Sequence, residues 1–249
     1  EAEPPNLNPF LEDSSAYTVI LVDGNAGNIY QSLLRRSPET LEFVPELAES
    51  WEVSEDHLTY TFKVRKDVTF SDGKPLTAHD VKFTFDAVLD PKNDTADIRS
   101  YLVNLDRVEV VDDYTAVFHC KQPYFGHDEA FGALWIIPKH VFEVGDFNSH
   151  PANRNPVGTG PYVLSKWETG QSIVMTARPD YWGPNKPRIG TLHYKIVTDD
   201  NAGMMALQRG DFDAMRVRSS EDWLRRANTP QFLEKFNRWG FDPSRSAGA

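Results

Sequence analysis

The stretch LTYTFKVRKDVTFSDGKPLTAHDVKFTFDAVL, residues 58–89, decides the fold of this chain. Its first eight residues alternate apolar and polar side chains, and this period of two predicts a half-buried strand over 58–65. The Asp72-Gly73 pair then predicts a turn. A helix is predicted over 77–89, because Thr77 is a suitable N-cap and the apolar side chains after it recur at helical spacing.

Similar patterns occur on both sides of this stretch. Residues 106–111 and 114–120 predict two strands joined by a short turn, and the apolar spacing over 28–35 predicts a short amphipathic helix. Three more strands are predicted over 162–167, 172–177 and 192–197, followed by a helix over 201–209. Short strands mixed with helices, without regular βαβ alternation, indicate a mixed α/β (α+β) fold with more than one lobe.

Composition and charge exclude several classes of function. The 249 residues include 26 Lys plus Arg and 37 Asp plus Glu, which gives a net charge of −11. This charge repels phosphate backbones and anionic lipid surfaces, so no nucleic-acid partner is expected. The apolar runs are too short to span a bilayer. No basic segment followed by an apolar segment stands at the start, so we expect any signal peptide to have been removed.

The chain lacks the motifs that carry catalytic chemistry. It contains no nucleophile elbow, no phosphate-binding loop and no HExxH helix, so no catalytic residue and no enzymatic activity are predicted. Gly158-Thr159-Gly160 is better explained as a tight turn before a strand than as a nucleotide-binding loop. His119 and His127 flank Cys120 at a spacing that matches no zinc pattern, so neither a metal site nor a cofactor is predicted.

Three aromatic residues lie in irregular segments next to glycine or proline. Trp135, Tyr181 and Trp182 could each line a pocket there, although packing is the favoured interpretation for all three.

A series of motifs in fixed order carries a resemblance to a known family. The motifs are Leu7-Asn8-Pro9, YQSLL (30–34), PELAESWEVSED (45–56), YTFKVR (60–65), FSDGKPLTAHDV (70–81), GTGPY (158–162), Tyr181-Trp182-Gly183 and Gly210-Asp211-Phe212-Asp213. Together they resemble the family 5 extracellular solute-binding proteins, the oligopeptide- and dipeptide-binding proteins of bacterial ABC importers. The resemblance covers nearly the whole chain, from Leu7 to about Met215.

The resemblance implies a fold of the periplasmic-binding-protein type II class, built from lobes around a cleft. By this resemblance, residues 1–30 and 139–249 belong to a discontinuous first lobe, and residues 31–138 form a smaller inserted second lobe. Family members are considerably longer than this chain, so the resemblance implies a fragment without the third lobe and with half of the ligand cleft.

The resemblance also implies a function, partners and a location. The chain would belong to a solute-binding component that captures peptides outside the cytoplasmic membrane and delivers them to the membrane subunits of an ABC permease. It would reside in the periplasm, or be lipid-anchored on the outer face of the cytoplasmic membrane. Two segments align with cleft-facing regions of the family and supply the candidate ligand-binding residues, which are Glu12, Asp13, Ser14, Ser15, Arg216 and Arg218. The arginines could hold a carboxylate bidentately.

Two alternatives stay open at this point. The solute could be another small molecule, such as an oligosaccharide, a nickel chelate or an opine. The chain could instead be a truncated product that serves as an interaction or scaffold module, with self-association through the surface left by the missing lobe.

Overall fold

The structure is a computed structural model that describes residues 3–12, 21–22, 26–217 and 219–237. Contacts divide these residues into two compact units, a larger one over Glu3–Lys195 and a smaller one that begins at Ile196. Each unit is described by itself below.

The larger unit contains eleven strands within the described residues. They are β1 (Leu21–Val22), β2 (Ala26–Gly27), β3 (Leu34–Arg36), β4 (Phe43–Pro45), β5 (Ala48–Val53), β6 (Thr59–Val64), β7 (Leu105–Asp112), β8 (Thr115–Cys120), β9 (Tyr162–Glu168), β10 (Ser172–Ala177) and β11 (Thr191–Lys195). They form four antiparallel sheets, two of which are the short pairs β1-β2 and β3-β4. The other two have the strand orders β5-β6-β8-β7 and β11-β10-β9.

Helices fill the connections between these strands. In the larger unit they are α1 (Ala78–Leu89), α2 (Ala96–Ser100), α3 (His127–Gly132) and α4 (Lys139–Phe142), with a 3-10 turn over Pro151–Asn153. No helix among the described residues combines the length and the apolar character that a bilayer-spanning segment needs.

The four-stranded sheet and α1 confirm the predictions made from residues 58–89 and 106–120. Along β6, Tyr60, Phe62 and Val64 are buried, as the alternation predicts. The ring of Phe118 on β8 meets Phe62 at 5.2 Å and Phe85 of α1 at 4.7 Å between centroids, both edge to face. Aromatic contacts of this kind join the helix to the sheet and form the centre of the core.

The start of α1 is fixed by a carboxylate. Thr77 is the N-cap, and the buried Asp80 accepts hydrogen bonds from the Thr77 backbone N–H and hydroxyl, each at 2.9 Å. The other Asp80 oxygen accepts from the Lys139 backbone N–H at 2.9 Å. One side chain therefore stabilises the first turn of α1 and holds the start of α4 against it.

The helix predicted over 28–35 is wrong. This segment is extended, and β3 begins at Leu34. Its backbone groups bond outward to distant residues: Asn28 and Ile29 carbonyls accept from Tyr162 and Gly160, and the Gln31 carbonyl accepts from Ile136. Residues 27–34 are all buried. The apolar side chains therefore occur here because the segment is buried on all sides, and their helical spacing does not indicate a helix.

Arg178 ties together two of the glycine-containing motifs. Its side chain is 2% exposed, and its guanidinium donates hydrogen bonds to the carbonyls of Thr69 and Phe70 on one side and of Gly158 and Gly160 on the other, at 3.2–3.4 Å. The carboxylate of Asp180 pairs with it at the surface at 3.2 Å, and this pairing lowers the pKa of Asp180. The turn at 71–73 and the turn at 158–161 are thus held against each other by this side chain and by a backbone hydrogen bond, in which the Ser71 N–H donates to the Gly158 carbonyl at 2.9 Å.

The smaller unit is helical in its described part. It contains α5 (Asp200–Arg209), α6 (Ser220–Leu224) and α7 (Pro230–Leu233), with a 3-10 turn over Arg226–Asn228. Helix α5 ends at Gly210, whose φ of 87° allows the left-handed C-cap. A small core of its own lies beneath these helices and includes Met204, Leu207, Ala227 and Phe232.

Candidate functional site

The sequence-predicted ligand residues are spread over both units. Glu12 lies in the larger unit and is exposed. Its backbone N–H donates to the Asp94 carbonyl at 3.1 Å, and its carboxylate accepts from the Ala96 N–H at 3.0 Å, at the start of α2. The carboxylate therefore has a local structural contact in this unit.

The other five members of that set lie in the smaller unit or outside the described residues. Arg216 is exposed and lies in the smaller unit, in a segment without helix or strand. Asp13, Ser14, Ser15 and Arg218 lie outside the described residues. The assignment of these six residues to ligand binding stays a prediction.

The larger unit contains a groove of about 990 Å³ that is a candidate binding site. Its walls come from the 9–10 segment, the β3–β4 pair, the 98–104 segment and residues 124–135. The volume is in the range of pockets that bind small solutes. The lining includes six aromatic residues, which are Phe10, Phe43, Tyr101, Tyr124, Phe125 and Trp135.

The 9–10 wall is positioned by buried amides. Asn8 is fully buried, and its side-chain amide donates to the Asn153 side chain at 2.9 Å, while its own oxygen accepts from the Phe10 N–H at 2.9 Å. The Asn-Pro motif thus has a structural role, because it fixes the backbone that places Pro9 and Phe10 in the groove.

An ion pair closes one side of the groove. Arg36 of β3 pairs with Glu129 of α3, donates to the Leu41 carbonyl at 2.9 Å and lies over the Phe43 ring at 4.4 Å from its centroid. The guanidinium is therefore engaged on three sides.

Trp135 lines the groove, whereas Tyr181 and Trp182 are not among its lining residues. The Gln31 side chain donates to the Tyr181 hydroxyl at 2.9 Å and accepts from the Trp182 indole N–H at 3.0 Å. The Gln31 amide also donates to Glu46 at 3.1 Å. Burial raises the pKa of the Glu46 carboxyl, and the hydrogen bonds from Ser32 and Gln31 oppose that rise.

His127 is buried at the groove's edge without a polar partner. It is 1% exposed, and neither ring nitrogen has a hydrogen-bond partner among the described residues. Its ring stacks on Phe131 at 4.9 Å and meets Tyr60 and Tyr124 edge-on at 5.4 and 5.6 Å between centroids. Burial lowers the pKa of His127 below its ordinary value, and the nearby charge of Asp128 partly opposes this.

We expect His127 to make the larger unit less stable at acid pH. Because its pKa is lower in the folded chain than in the unfolded chain, unfolding takes up a proton below pH about 6.5. Stability is therefore full above that pH and falls as pH drops through 6.5 toward the folded pKa. Denaturant unfolding of the wild type and of His127→Phe from pH 7.5 to about 5 measures this.

The His127→Phe variant should lose less stability on acidification than the wild type. His193→Phe, at an exposed histidine of β11, should behave like the wild type. Equal acid losses in all three proteins would contradict the expectation.

The residues considered for metal binding do not form a cluster. His119 pairs with Glu109 on β7 at 2.9 Å, and Cys120 is a free thiol whose pKa is raised to about 11 by burial. Across the described ranges no group of three His, Cys, Asp or Glu side chains could hold a metal ion.

Sequence reasoning missed most of the groove. Tyr101, Tyr124, Phe125 and Asp128 line it, yet none was predicted as a site residue. The available signal was the aromatic pair between Pro123 and Gly126, in an irregular segment where an aromatic can line a pocket. Phe125 is 91% exposed.

Comparisons with known proteins agree with this architecture. The profile of the bacterial extracellular solute-binding proteins, family 5, matches residues 42–244. Protein XP55 of Streptomyces lividans is 40% identical over 214 residues, which is 85% of this chain and 37% of that protein. The oligopeptide-binding protein AppA of Bacillus subtilis is 32% identical over 224 residues, 88% of this chain and 40% of its own length. The chain thus spans less than half the length of these relatives.

Solved structures give the same result. The structure of B. subtilis AppA in complex with a nonapeptide superimposes with a TM-score of 0.78 at 32% identity, covering 91% of this chain and 44% of that one. AgaA from A. tumefaciens R10, in complex with agropinic acid, gives a TM-score of 0.80 at 30% identity over 92% of this chain and 45% of that one. The fold is that of the type II periplasmic binding proteins, and the chain belongs to the bacterial extracellular solute-binding proteins, family 5.

Proposed function

We propose that this chain serves in the solute-binding component of an ABC importer that captures peptides outside the cytoplasmic membrane and delivers them to the permease. The observation that carries the proposal is the groove of about 990 Å³ with its aromatic lining, in a chain similar to a peptide-binding AppA. Aromatic walls bury apolar ligand surface, while backbone and side-chain polar groups orient the ligand. The function is binding and release, without covalent chemistry.

The lobe boundaries are part of this proposal. The four-stranded sheet lies wholly within residues 31–138, the proposed second lobe, and the three-stranded sheet lies within 139–249, part of the proposed first lobe. Periplasmic residence or a lipid anchor on the outer face of the membrane also belongs to the proposal. The AppA and XP55 relatives support the family assignment on which these statements depend.

The groove offers a local reporter of peptide binding. Trp135 lines it, whereas Trp167 of β9 donates its indole N–H to Glu3 and lies under Arg154 at 3.8 Å from the guanidinium carbon, outside the groove. Titration of the ¹⁵N-labelled chain with a tripeptide library should shift the Trp135 indole resonance saturably and leave that of Trp167 in place. NMR detects weak complexes, so an unshifted Trp135 resonance at millimolar peptide would contradict the proposal.

A second candidate is a member of the same family for an opine. The similarity to AgaA with agropinic acid favours it. Agropinic acid in the same titration separates the two, because a peptide binder should respond to the library and an opine binder to the opine.

Self-association is a further prediction for this chain. It rests on the family resemblance, which implies an unpartnered surface where a further lobe packs in longer members. Sedimentation at several concentrations tests this, and a monomer throughout would remove it.

A further inference from the structure

The charges around the groove balance in number but are paired unevenly. Four charged residues line it, namely Arg35, Arg36, Asp128 and Glu129. Arg36 and Glu129 neutralise each other through their ion pair. Arg35 also lines the groove, but no ion pair joins it to Asp128 among the described residues. Its charge acts on Glu46 and Tyr181, which do not line the groove.

Asp128 is the groove's unpaired carboxylate among the described residues. It is half-buried in α3, and no described residue forms an ion pair or a hydrogen bond with its carboxylate. The groups that it influences electrostatically are Tyr60 and His127, and both are neutral near pH 7, because burial raises the pKa of the first and lowers that of the second. A partly buried carboxylate without an ion-pair partner favours any cation that reaches it.

The rings beside Asp128 suit the same kind of group. Tyr124 and Phe125 pack against each other at 4.7 Å between centroids, directly before α3, and Tyr101 is 70% exposed across the groove. Aromatic faces attract ammonium and guanidinium groups, and they also cover the methylene stems that carry them.

We propose that the groove selects solutes that carry an alkylammonium or guanidinium group, which pairs with Asp128 and lies against the rings of Tyr124 and Phe125. The inference rests on the proposed peptide-binding function and adds the charge class of the ligand. Asp128 is thereby a specificity-determining residue in a groove whose other acidic side chain, Glu129, is occupied by Arg36.

Four tripeptides test the proposal and separate the two sources of positive charge. Lys-Ala-Ala has both an α-ammonium and a side-chain ammonium. Norleucine-Ala-Ala keeps only the α-ammonium, and Nα-acetyl-Lys-Ala-Ala keeps only the side-chain ammonium. Nα-acetyl-norleucine-Ala-Ala has neither ammonium group. All four keep the same carboxylate and nearly the same apolar surface. Titration followed at the Trp135 indole should show one or both cationic groups tightening binding about fivefold to thirtyfold over the acetyl-norleucine peptide.

Asp128→Asn should remove that preference while keeping the side-chain shape. Asp86→Asn is the matched control, because Asp86 is an exposed α1 carboxylate paired with Lys82 outside the groove, and it should keep the preference. Thermal unfolding checks that both variants fold.

A salt titration of the wild type gives a test without any substitution. Raising salt from about 50 to about 500 mM should weaken the binding of the cationic peptides more than that of the acetyl-norleucine peptide.

The outcomes are distinct. If all four peptides bind the wild type equally, or if Asp128→Asn keeps the preference, the inference fails and the proposed function stands. If no peptide shifts the Trp135 resonance, both fail.

Discussion

Gly158→Ala is expected to destabilise the larger unit by about 3 kcal/mol. A Cβ atom at this position would lie 2.0 Å from the Ile29 carbonyl oxygen and 2.7 Å from its carbon. This obstacle is backbone, and the same carbonyl accepts a hydrogen bond from Gly160 at 2.8 Å, so it cannot move without loss of that bond. The loss is a large part of the stability of a typical domain. Equilibrium unfolding in urea measures it.

Gly190→Ala is the matched control for this prediction. It lies in an exposed bend before β11, and an added Cβ would meet nothing within 4 Å. The substitution should be neutral, or should stabilise the folded chain by about a few tenths of a kcal/mol, because alanine lowers the conformational entropy of the unfolded chain. If the two variants unfold at the same denaturant concentration, the close approach of residues 29 and 158 is not the reason for glycine in the GTGPY motif.

Arg178→Met is expected to cost about 3–5 kcal/mol. Methionine fills most of the volume but leaves the Thr69 and Gly160 carbonyls without the guanidinium that bonds them. The Phe70 and Gly158 carbonyls also lose the guanidinium but still accept from backbone N–H groups of the 71–73 turn. Buried acceptors without a partner carry most of this penalty, and the surface pair with Asp180 contributes little. Thermal and urea unfolding should both report the loss.

Arg107→Met separates this effect from a general loss of arginine. Arg107 is exposed on β7 and pairs with Asp106 at the surface, so its substitution should change stability by less than about 0.5 kcal/mol. Arg178→Lys adds a second comparison. A lysine ammonium has three hydrogen-bond donors where the guanidinium has five, so it should bond fewer of the carbonyls of the two turns and restore stability only in part. Full recovery with lysine would show that charge alone matters at this position.

Arg178 was not predicted from the sequence, although the turns that it joins were. The turns at 71–73 and 158–161 follow from local glycine and aspartate chemistry. Their contact is made by a long-range backbone hydrogen bond from Ser71 to Gly158 and is reinforced by Arg178, a residue about 20 positions after the second turn and over 100 after the first. No local pattern marks an arginine as buried, since most arginines are exposed.

The candidate site was likewise predicted only in part from the sequence. Trp135 was singled out as an aromatic in an irregular segment, and it does line the groove. Asp128 was not predicted as a ligand-binding residue. Its significance comes from what surrounds it, because Glu129, the next residue, has an arginine from β3 and Asp128 has none among the described residues.

The sequence by itself determined the elements whose hydrogen bonds are local or between neighbouring strands. These are the strand over Thr59–Val64, the helix over Ala78–Leu89 and the paired strands that end at Cys120. Their periodicity, caps and turns lie within a few residues, so the pattern is readable without knowledge of the rest.

Only the tertiary structure decided the course of residues 28–33 and the composition of the groove. The apolar spacing at 28–35 fits a helix, yet the backbone groups of this segment pair with residues 136, 160 and 162. Long-range pairing satisfies those groups as well as a helix would, and it buries the side chains on all sides, so it overrides local preference. The groove depends likewise on segments that meet only after folding, which is why its unpaired carboxylate could not be recognised in the sequence.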